Sequence, residues 1–263
     1  MTADAALFDL RTALVRPDLA EQAVEGLVRA SAYRTPQAMH GRIAIADIFD
    51  GPHDGANRID QLLQGETFDV LDDDGDRAWG RARRDGVVGW IARTALAEGV
   101  IEADRRVAAV RGDRPLNSFV AAGETVEVAV APIGAFEHDP VAVAERLLGT
   151  PHALGARSSV STDCAGLVQQ ALYACGRAGP RYADLQAELG VAIDAAQARR
   201  GDLVVWLHPT GGPGWTGHSA LMLDDVRVIH ASGDRGGVVV ESLAETDARY
   251  RADGFDGPVF RRL

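Results

Sequence analysis

Thr162-Asp163-Cys164-Ala165-Gly166-Leu167-Val168-Gln169 reads as the start of a helix with a cysteine in its first turn. The turn-like stretch Arg157-Ser158-Ser159-Val160-Ser161 leads in, helical periodicity runs from Cys164 to Ala174, and Gly176 stops it. Backbone N–H groups at a helix start lack intrahelical partners and carry partial positive charge, a setting that favours a thiolate. A thiolate is the form of cysteine that attacks carbonyl groups. A lone cysteine is more often a small buried apolar residue, but the placement after Asp163 at a helix start turns the balance toward a nucleophile. Cys175 ends the same helix without such a setting and reads as core. Eleven residues of helix put the two sulfurs roughly 16 Å apart, beyond the roughly 7 Å between Cα atoms that a disulfide tolerates. Two free thiols and a reduced, cytoplasmic protein are therefore expected.

A thiol nucleophile needs an imidazole. Of the seven histidines, His218 opens the strand-like His218-Ser219-Ala220-Leu221-Met222-Leu223 and His230 closes Val226-Arg227-Val228-Ile229-His230-Ala231. An Asp224-Asp225 turn joins the two segments. Side chains alternate along a strand, so an even separation places both rings on one face only if the loop has an odd number of residues, three being the natural choice. One ring could then act as base and the other orient it; two unrelated surface histidines are the competing reading. A metal site would need a third ligand, and H-x-x-x-H and C-x-x-C are both absent from the sequence. His152 lies in the loop before Cys164. His208 lies in the Gly- and Pro-rich stretch Leu207–Gly217, a candidate cleft rim. His40, His53 and His138 read as solvated.

Working outward, Pro140–Gly149 predicts a helix, and strands are predicted at Asp202–Trp206, Ser219–Leu223, Val226–Ala231 and Val238–Glu241. A helix at Leu243–Arg251 and a strand at Pro258–Arg262 close the chain. A cysteine-bearing helix followed by an antiparallel sheet bearing histidines is the order of a papain-like α+β domain, here residues 138–263. Upstream, residues 31–98 read as short strands broken by turns, among them Arg42–Ala46, Trp79–Arg83 and Val87–Ile91, the last two joined by the Arg84-Asp85-Gly86 turn. The run GETFDVL…DGDRAWGRARRDGVVGWIARTAL resembles a bacterial SH3-like barrel. Residues 99–137, with RVAAV and GETVEVAVAPIG as strands, read as a shortened second SH3-like segment. In residues 1–30, Pro17 and the apolar spacing that ends at Gly26 predict a short helical arm. The expected class is α+β: a small SH3-like β-barrel region followed by a papain-like domain.

The 263 residues are 46% apolar and 25% charged, with a formal net charge of −11. Phosphate polymers and anionic membranes repel such a chain, and no basic stripe offsets it, so neither nucleic acid nor membrane is an expected partner. The N-terminal stretch lacks a basic segment followed by an unbroken apolar run, so it does not read as a secretory signal. No window approaches eighteen apolar residues. A small soluble substrate fits better, and no cofactor is expected. Oligomeric state is not legible.

Taken together, the cysteine segment, Gly201-Asp202-Leu203-Val204, His218–Leu223 and Ile229-His230-Ala231-Ser232 resemble the NlpC/p60 cysteine peptidases. With the SH3-like text upstream, the chain is similar to the subgroup of dipeptidyl-peptidase VI and the γ-D-glutamyl-L-diamino-acid endopeptidases. The resemblance implies hydrolysis of the amide after γ-linked D-Glu in murein stem peptides with a free N-terminal L-Ala, in recycling of wall peptides. It implies Cys164 as nucleophile, His218 as general base, His230 as the orienting residue and Asp163 as partner of the substrate's amine. The family's usual Tyr-x-Trp-Gly-Gly loop is His152-Ala153-Leu154-Gly155-Ala156 here, with His152 at the substrate-binding position. The usual serine after the nucleophile is Ala165, the Pro-Arg-Asp-Ser-Asp-x-Gln stretch is Pro180-Arg181-Tyr182-Ala183-Asp184-Leu185-Gln186, and a barrel aromatic is Val87. These changes leave room for two other readings: a binding protein with weakened turnover, and a thiol amidase or acyltransferase on another substrate.

Overall fold

Leu203-Val204-Val205-Trp206 alternates its side chains between two cores. Leu203 and Val205 join one apolar cluster and Val204 and Trp206 another, as a strand buried on both faces requires. That strand is central to the more C-terminal of two main sheets in a computed structural model that describes residues 8–263.

The strands, in chain order, are β1 (Ala20–Glu21), β2 (Tyr33–Arg34), β3 (Gln37–Gly41), β4 (Ile45–Phe49), β5 (Arg58–Leu63), β6 (Thr67–Asp73), β7 (Arg77–Ala82), β8 (Val88–Ala92), β9 (Leu96–Glu98), β10 (Ala103–Val107), β11 (Phe119–Ala121), β12 (Val130–Pro132), β13 (Val191–Ile193), β14 (Leu203–Gly212), β15 (Trp215–Met222), β16 (Arg227–Ser232), β17 (Gly237–Ser242) and β18 (Val259–Arg262). The helices are α1 (Pro140–Arg146), α2 (Cys164–Ala174), α3 (Ala183–Gln186) and α4 (Leu243–Ala252).

Strands β3–β9 form a seven-stranded antiparallel sheet in the order β5-β4-β8-β7-β6-β3-β9, wrapped around Met39, Ile48, Leu62, Phe68 and Ile91. Arg84-Asp85-Gly86 turns β7 into β8, with Trp79 opposite Trp90 and Gly86 at φ +85°. The strand predicted at Arg42–Ala46 lies later: Arg42–Ala44 make the bend between β3 and β4.

The helix predicted in the N-terminal arm does not form. Gln22–Val24 make a single 3-10 turn, and β1 pairs with β2 in parallel. A helix this short gains too few hydrogen bonds to repay its nucleation. The segment instead buries Ala20, Val24 and Val28 in a small cluster of its own, closed by a Tyr33 hydroxyl that donates to the Val28 carbonyl at 2.6 Å. The first seven residues of the predicted arm lie outside the described residues.

Between the main sheets, β11-β10-β12 form a three-stranded sheet that leans on both neighbours. Leu116 enters the core shared by α1 and α2, buried Asn117 donates to the Gln170 carbonyl at 3.0 Å, and the Phe119 N–H bonds to the Gln64 carbonyl.

In the C-terminal domain the six-stranded sheet runs β13-β18-β14-β15-β16-β17. Helices α1 and α2 cover one face through Val143, Leu147, Leu167 and Leu172. Tyr250 from α4 lies with Trp206 and Met222 on the other. Asp139 caps α1, with Pro140 in its first turn.

Buried charge joins barrel to C-terminal domain. Arg157, with no exposed side-chain surface, meets Asp60 at 3.0 Å, Glu66 at 2.6 Å and Asp85 at 3.2 Å. Arg84 reaches Glu66 at 2.7 Å, and Arg181 bridges Asp60 and Asp163. Three guanidinium groups thus face four carboxyls. Burial and the charge of Asp85 push Asp60 well above the usual carboxylate range.

Candidate active site

Cys164 is the first residue of α2. Asp163 caps the helix, its Oδ1 accepting from the Gly166 N–H at 2.8 Å. The incoming loop packs so closely that a Cβ on Gly166 would lie 2.3 Å from the Ala156 carbonyl oxygen, so glycine is required there. The Cys164 side chain is half-buried, and its sulfur lies 3.9 Å from the carbonyl of Gly217, the β15 residue that precedes His218.

The Leu223 N–H bonds to the Arg227 carbonyl, leaving a three-residue loop of Asp224, Asp225 and Val226. The odd loop puts both histidines on one face. His218 Nε2 and His230 Nδ1 are 2.7 Å apart with perpendicular rings. Tyr250 stacks on His218 with centroids 4.2 Å apart and sets its hydroxyl 3.1 Å from the same Nε2. His230 Nε2 in turn lies 2.8 Å from Glu241 Oε2. Glu241 and Tyr250 escaped the sequence reading. Glu241 reads only as the end of a strand, and its facing residue depends on the β16–β17 register, in which Val239 pairs with His230.

Electrostatics departs from the helix-start expectation. Burial, then the charge of Asp163, push the Cys164 thiol up to about 12, against smaller pulls from the Ser219 and Ala165 N–H groups. Burial holds His218 well below the usual imidazole range. Both shifts favour a thiol and a neutral imidazole over a preformed ion pair. With the thiol raised, the thiolate fraction still climbs well above pH 8.5. Alkylation of Cys164 by iodoacetamide should therefore accelerate steadily between pH 7 and 10; a plateau below pH 8 would instead mark a preformed thiolate.

Asp163 lines the cleft with Cys164 and is also tied into the scaffold. Oδ2 accepts from the Gly155 N–H at 2.8 Å, Oδ1 takes Arg181 Nη1 at 3.0 Å, and Arg181 Nη2 bonds Oδ2 as well. Capping and a buried ion pair thus engage both oxygens, each of which can accept more than one hydrogen bond. His152 does line the cleft with Cys164 and His218; burial lowers its pKa, leaving a neutral ring. Two other carboxylates face the same cleft, Asp234 and Asp253. Asp234 reaches Arg249 at 3.3 Å.

The cleft encloses about 240 Å³. Its outer wall is the long β14–β15 hairpin, where Trp215 meets Phe255 at 6.0 Å and His208 at 5.2 Å; His208 packs against these two lining rings and is not itself among the lining residues. The barrel supports the walls from behind. Arg58 Nε and Nη2 hold the Leu154 carbonyl at 3.0 and 2.9 Å, and Gly214 at the hairpin tip approaches Arg58 and Ile59. Cys175 ends α2, half-buried against the helix core.

A cysteine at a helix start, an imidazole pair on the adjoining sheet and a confined cleft suit thiol chemistry on an amide or ester. Residues 149–255 match the NlpC/P60 family, and residues 48–96 match the bacterial dipeptidyl-peptidase Sh3 domain. The C-terminal domain is an NlpC/P60 domain. It thus belongs to a family of cysteine peptidases, preceded by the SH3 domain of bacterial dipeptidyl-peptidases. Peptidoglycan endopeptidase RipB of Mycobacterium tuberculosis is 36% identical over 86 residues, 33% of this chain and 34% of RipB. Gamma-D-glutamyl-L-lysine dipeptidyl-peptidase of Bacillus cereus is 29% identical over 93 residues, 35% of this chain and 28% of that protein. The chain thus aligns with about a third of each relative's length. Beyond the NlpC/P60 domain, the whole fold resembles the crystal structure of an NlpC/P60 family protein from Bacillus cereus, with TM-score 0.67 and 16% identity over 86% of this chain and 99% of that one.

Proposed function

We propose that the protein is a thiol peptidase that hydrolyses the amide between γ-D-Glu and a diamino acid in short murein-derived peptides with a free N-terminal L-Ala. The observation that carries this reading is the 2.7 Å contact of His218 with His230 behind the half-buried Cys164. It supplies nucleophile, base and orienting group in one cleft. The Cys164 S–H proton passes to His218 Nδ1 as the sulfur attacks the carbonyl carbon. The imidazolium then protonates the leaving amine, and water releases the acyl group from the thioester. The Cys164 backbone N–H, in the first helical turn, is placed to stabilise the oxyanion, with the neutral His152 ring as a second donor.

The relatives named as a peptidoglycan endopeptidase and a γ-D-glutamyl-L-lysine dipeptidyl-peptidase favour a murein peptide. A cleft of about 240 Å³ walled by the β14–β15 hairpin favours a short one. Asp163, Asp234 and Asp253 all line the cleft and are the carboxylates that can partner the substrate's ammonium group. The unpaired state of Cys164 and Cys175 accords with a cytoplasmic role in recycling wall peptides.

Incubating the protein with L-Ala-γ-D-Glu-diaminopimelate and L-Ala-γ-D-Glu-L-Lys, and following products by mass spectrometry, tests the reading. Release of L-Ala-γ-D-Glu and the free diamino acid, suppressed when the N-terminal amine is acetylated, is expected. No release from either peptide would remove the substrate assignment.

A further inference from the structure

Glu241 completes a hydrogen-bonded line that runs from the cleft along one face of the sheet to β17. It lies on β17 two residues beyond Val239, the partner of His230, so its side chain shares the face of His230. Oε2 is 2.8 Å from His230 Nε2. Two guanidinium groups fix the carboxylate: Arg249 donates to Oε1 and Oε2 at 3.0 and 2.7 Å, and Arg235 donates to Oε1 at 2.9 Å.

We propose that Glu241 is a positioning residue that sets the tautomers of both histidines, leaving Nδ1 of His218 as the bare nitrogen that accepts the Cys164 proton. The inference rests on the reading of Cys164 and His218 as nucleophile and base. Each bond dictates the next. A carboxylate flanked by two arginines can only accept, so His230 must carry its hydrogen on Nε2. His230 is then neutral with a lone pair on Nδ1, which requires a hydrogen on Nε2 of His218. His218 is left with one lone pair, on Nδ1. The ionisation states agree: the hydrogen bonds of Arg249, with help from Arg235, hold Glu241 at about 2, and burial holds His230 at about 4.

Without the carboxylate the line can run backward. The Tyr250 hydroxyl, 3.1 Å from His218 Nε2, can donate as well as accept, and so can Nδ1 of His230 in its other tautomer. Either donation would place the His218 hydrogen on Nδ1 and block the base. A neutral residue at 241 permits this arrangement, because a glutamine amide can donate to a bare His230 Nε2. The carboxylate also offsets the positive charge that arises on His218 when it takes the thiol proton.

The test combines ring-nitrogen NMR of the ¹⁵N-histidine-labelled full chain with a double-mutant cycle. In the wild type, Nδ1 of both His218 and His230 should be bare; E241Q should move hydrogen onto Nδ1 of His218. E241Q should lower kcat by between about 10²- and 10⁴-fold, the scale of general-base and tautomer effects, with KM little changed. In a His230→Asn background, where the asparagine oxygen can accept from His218 directly, E241Q should have almost no further effect, because Glu241 acts only through His230. A wild-type spectrum with hydrogen on Nδ1 of His218 would overturn the proposal, as would equal losses in both backgrounds, which mark a merely structural role. The wild-type spectrum needs neither a folded E241Q nor a substrate, so a wrong substrate assignment would leave the tautomer result standing.

Discussion

Replacing Cys164 with alanine is expected to remove stem-peptide hydrolysis, a fall of about 10⁴-fold or more, while the fold melts close to wild type. The loss follows from the chemistry, since alanine has no group that can form the covalent intermediate, and the Tyr250 hydroxyl lies against Nε2 of His218, the nitrogen that faces His230. Residual turnover can come only from substrate positioning and oxyanion donors acting on water, and such remnants are small when the covalent step is lost. Stability should change little because the side chain is half-buried at the cleft and its sulfur makes only a long contact with the Gly217 carbonyl, 3.9 Å away. His218→Ala should lose a comparable amount, and the double variant scarcely more, because nucleophile and base act as one unit. Michaelis–Menten analysis of the three variants beside the wild type checks this. Additive losses would mean that the two side chains do not act in one step.

Arg157→Met is expected to destabilise the protein by about 3–5 kcal/mol, the scale for breaking a buried ion pair by removing one partner. Glu66 and Asp85 would keep buried negative charge with only Arg84 near Glu66 as compensation. Asp60→Asn is the informative control. Burial and the charge of Asp85 raise the Asp60 carboxyl well above the usual carboxylate range, and an asparagine oxygen can still accept from Arg157, so this change should cost less than about 1 kcal/mol, the scale of one ordinary hydrogen bond. Urea unfolding at pH 7 measures both. If Asp60→Asn costs as much as Arg157→Met, Asp60 is ionised in the fold. The network matters for the site because it ends there: Asp60 touches Arg181, and Arg181 holds the carboxylate that caps the helix of Cys164. The barrel thus supports the catalytic helix through charge while contributing no side chain to the cleft lining.

What could be read from the sequence follows from how local each signal is. Helix α2 is announced within a dozen residues by its cap, its periodicity and its stop, and the structure begins and ends it where the pattern does. The His218–His230 contact is also local, because an even spacing and a short turn settle which face each ring takes. Glu241 is eleven residues beyond His230, on the next strand, and only the register of β16 with β17 brings it in. Arg157 reads as a loop cation, since nothing near it in sequence announces that Asp60, Glu66 and Asp85 converge on it from the barrel. Asp163 shows the same limit: its capping role is visible locally, but its pairing with Arg181 is not. The N-terminal arm fails as a helix because propensity over so few residues yields to packing of Ala20, Val24 and Val28 against Tyr33.

The most direct test of the account is the covalent intermediate. Wild-type protein mixed with L-Ala-γ-D-Glu-diaminopimelate, quenched in acid within a single turnover and digested, should carry an L-Ala-γ-D-Glu acyl group on the peptide containing Cys164, and the adduct should decay as product appears. Product formation without any adduct on Cys164, or at an unchanged rate in Cys164→Ala, would contradict the account.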